Sequence, residues 1–364
     1  MTTEARYERL HPRELSERVE RMPLAYVPIG TLEFHGEHLP FGVDSFEAHG
    51  VCLRAAARSG GVVLPPVYLA SGCLDLPFTL TFEPELVGAW VRATLGQLAH
   101  RGFRAAVVLT GHGPLDLNHL LKRVCAEAEA EHRGFAAYGL CWLELNAARL
   151  TAPEPGEPTT VDHAARVETS WMLALEPELV HLERLADDPG ATHVGVYGPN
   201  PRFTASAELG EEQIAAAAEL LAARATGLVA GERPDAFADL RAFVEHGWAE
   251  RPVLRGRAGR EPRLLIRNPG RASRYLSGLQ VDLDGRRLDD RSLVLVNASA
   301  GETGRPVRAS ELGPEHGFYV RRGQEATVTL GSFELASGPH RVRAELGLAG
   351  VTALVLEEDV EFVT

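Results

Sequence analysis

RAAVVLTGHGPLDLNHLLKRVCAEAEAEHRGFAAYGLCWLEL (residues 104–145) is the stretch whose reading decides the fold. RAAVVLTG (104–111) is a continuous apolar run and reads as a buried strand, while LDLNHLLKRVCAEAEAEHRG (115–134) has helical periodicity and is ended by Gly134. FAAYGLCWLEL (135–145) then reads as a second strand. Strand, helix and strand in this order imply a layered α/β fold with a mostly parallel sheet. His112 falls where the first strand meets the helix, at the carboxyl edge of the sheet, and open α/β folds place their sites there. Gly111 and Gly113 on either side let the backbone turn sharply.

The same alternation extends outward. AYVPIG (25–30) and GVVLPPV (61–67) read as strands, and ELVGAWVRATLGQLAHRG (85–102) puts Leu86, Trp90, Val91, Leu95 and Leu98 on one helical stripe. HAARVETSWMLALEPELV (163–180) is a helix with Trp171, Met172 and Leu175 on its core face, and an alanine-rich helix follows at 211–229. TAPEPGEPTT (151–160) is a loop within this domain. Beyond an arginine- and glycine-rich connector the period changes to short strand-like runs: RLLIRNP, SGLQVDLDG, SLVLVNA, ATVTLGSFEL, HRVRAELGL and VTALVLEEDVEFV. Asp284-Gly285 is a hairpin signal between them. The organisation expected is an α/β domain over 1–245, a connector over 246–262 and an all-β sandwich over 263–364, in keeping with about two domains for 364 residues.

Composition sets limits on function. Hydrophobic residues make up 45% and charged residues 24%, the globular range. No apolar run reaches the roughly eighteen residues of a membrane span, and the charged N-terminus lacks the apolar core of a secretory signal, so the expectation is a cytoplasmic protein. The 37 basic and 50 acidic residues leave a net charge of -13, which disfavours nucleic acid and anionic membrane surfaces as partners. Lys122 is the only lysine, a bias read as compositional. Cys52, Cys73, Cys125 and Cys141 form no CxxC pair and read as buried small hydrophobes.

Eleven of the 14 histidines precede residue 200, and three segments carry chemistry. In VPIGTLEFHGEHLPFGVD (27–44), Glu33 and His35 are two apart and share one side of an extended chain, with Asp44 beyond a loop. Such a set suits a divalent metal, and it equally suits a polar loop in which His35 caps a turn. His112 alone could be structural. In VDHAARVETSWMLAL (161–175), Asp162, His163 and Glu168 bracket a helix start, where a carboxylate also interacts with the helix dipole.

Taken together the three segments resemble the creatininase family of metal-dependent amidohydrolases over roughly residues 5–230. The family signature PxGxxExHGxHLPxxxD stands here as PIGTLEFHGEHLPFGVD (28–44), followed by GHG (111–113) and HAARVETSWMLAL (163–175). The resemblance implies a three-layer α/β/α fold and a centre of one or two divalent ions (zinc, manganese or iron). Glu33 and His112 would hold one ion, His35 the other, and Asp44 would bridge them. Pro114 stands where creatininase has a second-site glutamate, which leaves Glu168 as the substitute ligand. The implied reaction is hydrolysis of a non-peptidic or cyclic C–N amide bond of a small molecule by a metal-bound hydroxide. His163 would move a proton to the departing nitrogen, Asp162 would orient it, and Glu168 is the alternative acid/base. A ring-like homo-oligomer, a hexamer by family resemblance, is also implied.

Two departures bear on the substrate. Phe78 replaces the glycine of the family's PGT loop, and no tryptophan precedes His163 to stack a creatinine-like ring. The C-terminal segment resembles the small β subunit of C-glycoside deglycosidases, through GLQVDLDGRRL and SGPHRVRAELGL. Two other functions follow from these departures: a metal-dependent lyase or deglycosidase acting on a sugar-like substrate, and a catalytically inactive binding or scaffold homologue. A Ser/His hydrolase lacks any GxSxG elbow.

Overall fold

The computed structural model describes residues 4–145, 163–233, 253–267, 274–297, 306–312, 318–320, 325–348 and 352–363. The loop at 151–160 and Asp162 lie outside the described residues. The chain divides into two compact units, Met1–Gly247 and Trp248–Thr364.

In the first unit, α1 (Pro12–Arg21) leads into β1 (Leu24–Gly30), α2 (Val43–Ser59), β2 (Val62–Val63), β3 (Val67–Tyr68), α3 (Pro84–His100), β4 (Ala105–Thr110), α4 (Leu115–Glu131) and β5 (Ala136–Cys141). Two longer helices follow, α5 (Arg166–Leu175) and α6 (Ala207–Ala230), with a single helical turn at Pro201–Thr204 between them. The sheet runs β2-β1-β4-β5 with β3 also on β1, and all its pairs are parallel.

Alternation along β1 builds the three layers. Leu24 and Tyr26 enter a core with α2, α5 and α6, through Val51, Cys52, Trp171, Ile214 and Leu221. Ala25, Val27 and Ile29 enter the opposite core with Val91 and Leu95 of α3 and Leu121 and Val124 of α4. Every residue of β1 and of β4 is buried, which explains their unbroken apolar reading. Pro28 is tolerated inside this strand for a local reason. Tyr26 and Gly30 accept bonds from Leu64 and Leu69 on one side, so the donorless nitrogen of Pro28 faces the gap where β2 ends and β3 begins. Pro65 and Pro66 split the run read as a single strand into these two short pieces.

The helix α6 is the one described helix long and apolar enough to cross a membrane, and its buried face packs on α2 and α5. On α3 the stripe holds at Val91, Leu95 and Leu98, but at its start Val87 is buried and Leu86 is 52% exposed. Lys122 is 5% exposed and gives its Nζ to Glu144 Oε2 at 2.9 Å and to the Gly139 carbonyl at 3.0 Å. The single lysine thus ties α4 to the end of β5.

The second unit is one ten-stranded sheet, mostly antiparallel. Its strands are β6 (Val253–Arg257), β7 (Arg263–Arg267), β8 (Arg274–Leu283), β9 (Arg286–Arg287), β10 (Val294–Asn297), β11 (Val307–Arg308), β12 (Phe318–Val320), β13 (Glu325–Thr329), β14 (Gly338–Leu348) and β15 (Thr352–Val363). The order is β11-β10-β13-β7-β6-β15-β14-β8-β12, with β9 on β8. β10 and β12, near opposite ends of that order, come together, so the sheet curls on itself around Ile266, Val281, Leu295, Val328, Val342 and Phe362. A sandwich-like core therefore forms from a continuous sheet. Asp284 and Gly285 both take positive φ, 50° and 79°, as the two-residue hairpin between β8 and β9 requires. β6 arises within the stretch read as connector. Its alternation is masked by Gly256, which lies under the Phe362 ring.

Candidate metal centre

Two glycines bring the centre together. A Cβ on Gly30 would lie 2.3 Å from the Ser45 nitrogen, and one on Gly111 would lie 1.9 Å from the Asp44 carbonyl oxygen. Only glycine lets the ends of β1 and β4 close on the first turn of α2. Asp44, the second residue of α2, is thereby set between the Glu33–His35 segment and His112. The first turn of α5 adds Glu168. Its Oε2 accepts the Ala164 N–H at 2.5 Å, and Ala164 has a φ of 54°, a turned backbone that a non-glycine residue adopts only at a cost.

The polar atoms converge in two groups that share Asp44. His112 Nδ1 lies 3.1 Å from Glu33 Oε2 and 3.2 Å from Asp44 Oδ2. His35 Nε2 lies 3.2 Å from Asp44 Oδ1 and 3.6 Å from Glu168 Oε2. Glu33, His35 and Asp44 are each 1% exposed, Glu168 5% and His112 6%. Three carboxylates this deeply buried are costly without cationic partners.

The chemistry of these donors fits a cation. His35 Nδ1 faces the Glu33 backbone carbonyl at 3.0 Å, and a carbonyl can only accept, so Nδ1 carries the proton. Nε2 is then turned toward two carboxylates, an arrangement that requires positive charge there, supplied by a proton on Nε2 or by a bound cation. His35 Nε2, Asp44 Oδ2 and His112 Nε2 are buried without hydrogen-bond geometry to any partner. Fixing a histidine tautomer through a backbone carbonyl is also how metal-binding imidazoles are oriented. His35, Asp44 and Glu168 offer ligand atoms within 4.8 Å of one another, and so do Glu33, His35 and His163.

The field of the carboxylates dominates the electrostatics. Burial works against charging His35, yet the adjacent Asp44 carboxylate pushes its pKa up to about 10. Burial likewise opposes charge on His112, and Glu33 still drives it well above the ordinary histidine value. Burial would raise the Glu33 and Asp44 carboxyls, but His112 holds the first below its usual range and His35 the second.

Of the residues read from sequence, Glu33, His35, Asp44, His112 and Glu168 come together, and His163 stands beside them. The His163 and His35 rings are 4.4 Å apart, and Tyr197 lies on His163 at 5.6 Å. His163 Nε2 is 3.1 Å from the Phe34 carbonyl, which places the proton on Nε2 and the lone pair of the neutral ring on Nδ1. Burial and the charge of His35 push its pKa down to about 4. Asp162 falls outside the described residues.

Phe78 is 85% exposed with a φ of 59°. It stands edge-on to Phe41, which stands edge-on to Phe34, so an aromatic row runs outward from the segment carrying Glu33 and His35. Cys73 departs from the buried-hydrophobe reading. Cys52, Cys125 and Cys141 are buried, whereas Cys73 is partly exposed and groups with Glu33 and His112. No spacing in the sequence links position 73 to positions 33 and 112; the bonds of the 71–83 loop to Thr31, Leu32, Glu33 and Phe34 do.

A family model described as creatininase (creatinine amidohydrolase) matches residues 8–225, more than half of the chain. Among curated relatives, 3-dehydro-scyllo-inosose hydrolase of Thermotoga maritima is 28% identical over 185 residues, 48% of this chain and 57% of that protein. Creatinine amidohydrolase of Pseudomonas putida is 28% identical over 180 residues, 46% of this chain and 69% of that protein. The match thus spans little more than half the length of the first relative. A crystal structure of creatininase superposes with a TM-score of 0.54 at 25% identity, covering 61% of this chain and 97% of that one. Further creatininase structures that match are a manganese form and a mutant of Zn-Zn type.

Proposed function

This chain belongs to the creatininase family, and from that premise we propose that it hydrolyses a non-peptidic or cyclic C–N amide bond of a small molecule with the help of one or two divalent ions. Glu33, His112 and Asp44 would hold the first ion, and His35, Asp44 and Glu168 the second. Zinc, manganese and iron all suit imidazole and carboxylate donors. When bound, such ions polarise a carbonyl and lower the pKa of water from about 15.7 to about 7. The observation that carries the reading is His35 Nε2 directed at the Asp44 and Glu168 carboxylates, 3.2 and 3.6 Å away, without hydrogen-bond geometry to either, in a buried site.

The chain's own residues do the rest. The hydrogen bond from His163 Nε2 to the Phe34 carbonyl holds that ring in place and leaves Nδ1 to take up a proton and pass it to the departing nitrogen. Phe34, Phe41 and Phe78 give the substrate an apolar, aromatic wall and help exclude water. A bulky Phe78 in place of glycine supports a substrate other than creatinine. A homo-oligomer built by the first unit is part of the same proposal.

One observation favours a second reading. A relative named for an inosose, a cyclic polyol ketone, makes a sugar-like substrate plausible for the same donors. With the deglycosidase-like pattern of the second unit, the alternative is a metal-dependent lyase or deglycosidase.

The test is a metal-stripped chain reloaded with zinc or manganese and assayed on cyclic amides, ureides and C-glycosides. The expected result is amine or ammonia release that depends on metal and falls by roughly 10²–10⁴ in His163→Asn with metal retained. Metal-dependent turnover without C–N cleavage would move the assignment to the lyase, and identical behaviour with and without metal would contradict both.

A further inference from the structure

Cys73 has no part in the centre as assigned above, yet its loop is fastened to it. The Leu74 N–H donates to Glu33 Oε1 at 2.6 Å, so the residue next to Cys73 grips the carboxylate whose other oxygen faces His112. Cys73 Sγ itself lies 3.5 Å from both Thr31 Oγ1 and the Leu80 carbonyl. The sulfur, a Glu33 carboxylate oxygen and a His112 ring nitrogen lie within 4.8 Å of one another. A second feature points to a ligand: Asp44 is 1% exposed, and its Oδ2, 3.2 Å from His112 Nδ1, has no hydrogen-bond partner.

We propose that Cys73 is a thiolate ligand of the ion held by Glu33 and His112, and that this sulfur makes the first site select zinc over manganese. The proposal rests on the metal-dependent reading above. Ligand bonds of about 2.3 Å to sulfur and 2.0–2.1 Å to nitrogen put tetrahedral donors about 3.5 Å apart, a separation this group reaches by small side-chain movements. Thiolate is a soft donor that favours zinc, whereas manganese prefers oxygen. Coordination replaces the S–H bond by a sulfur–metal bond, and the thiol proton leaves to solvent. Glu33, Asp44, His112 and Cys73 are then four donors, a complete tetrahedral set, whereas His35, Asp44 and Glu168 are three. The first site is closed by protein and the second keeps room for substrate or water.

Cobalt(II) serves as the probe, because a cobalt–thiolate bond has a near-ultraviolet charge-transfer band that carboxylate and imidazole ligands lack. The metal-stripped full-length protein and Cys73→Ser are titrated with cobalt, and zinc is then competed against manganese. The wild-type chain should develop the band, and Cys73→Ser should bind cobalt without it. The zinc-over-manganese preference should fall by about 10–100-fold in the variant. In the wild-type chain zinc should also protect Cys73 from alkylation by iodoacetamide. Bound cobalt without the band, a band that persists in Cys73→Ser, or equal alkylation with and without zinc overturns this proposal and leaves the metal reading standing. A wild-type chain that binds no cobalt overturns the metal reading, and this proposal with it.

Discussion

At the scale of single residues, the centre is defined by what its atoms lack. His35 has its Nδ1 proton committed to the Glu33 carbonyl, so its Nε2 is the atom left to face Asp44 and Glu168. Glu168 is the carboxylate proposed for the second site, since Pro114 has no side-chain donor. Glu168→Gln keeps the shape, and its amide oxygen can still accept from Ala164, but it removes a charge from the group around His35. The expected outcome is a chain that folds with unchanged thermal stability in chelator and binds one equivalent less metal. If the variant binds as much metal as the parent and turns over as fast, Glu168 is an ordinary helix-start carboxylate.

At the scale of elements, two strand ends and one helix start must approach more closely than side chains allow. Gly111→Ala would place a methyl group 1.9 Å from the Asp44 carbonyl oxygen, a backbone atom that cannot swing aside. Overpacking of this kind costs about 1–3 kcal/mol and should appear as a lower urea midpoint together with reduced metal content. Gly113→Ala is the control, since its Cβ would meet only the flexible end of Leu143 at 3.0 Å. A Gly111→Ala chain with parental stability and metal content would contradict this account of the assembly. Much of this geometry was legible in the sequence. The unbroken apolar runs at 25–30 and 104–111 gave β1 and β4 because both faces of the sheet are covered, and Asp284-Gly285 gave its turn because few other pairs tolerate two positive φ values. The motif residues Glu33, His35, Asp44 and His112 could be named through their resemblance to the family signature, because their spacing alone left a structural role open. Other features depended on tertiary neighbours and left no local trace: the burial of Val87 in place of Leu86 at the start of α3, the strand β6 beneath Phe362, and the loop that carries Cys73 to Glu33.

At the scale of the whole molecule, the family match ends at residue 225, and a β unit of over a hundred residues follows. Among the described residues, every group able to hold a metal lies in the first unit. The curled sheet of the second unit has a core of its own. The central claim is that one carboxylate, Asp44, joins two donor groups into a single centre, and metal content per chain tests it most directly. Plasma emission spectrometry of the full-length protein should find one to two transition-metal ions per chain, and Asp44→Ala, folded by circular dichroism, should hold close to none. Equal metal content in the two proteins would contradict the account.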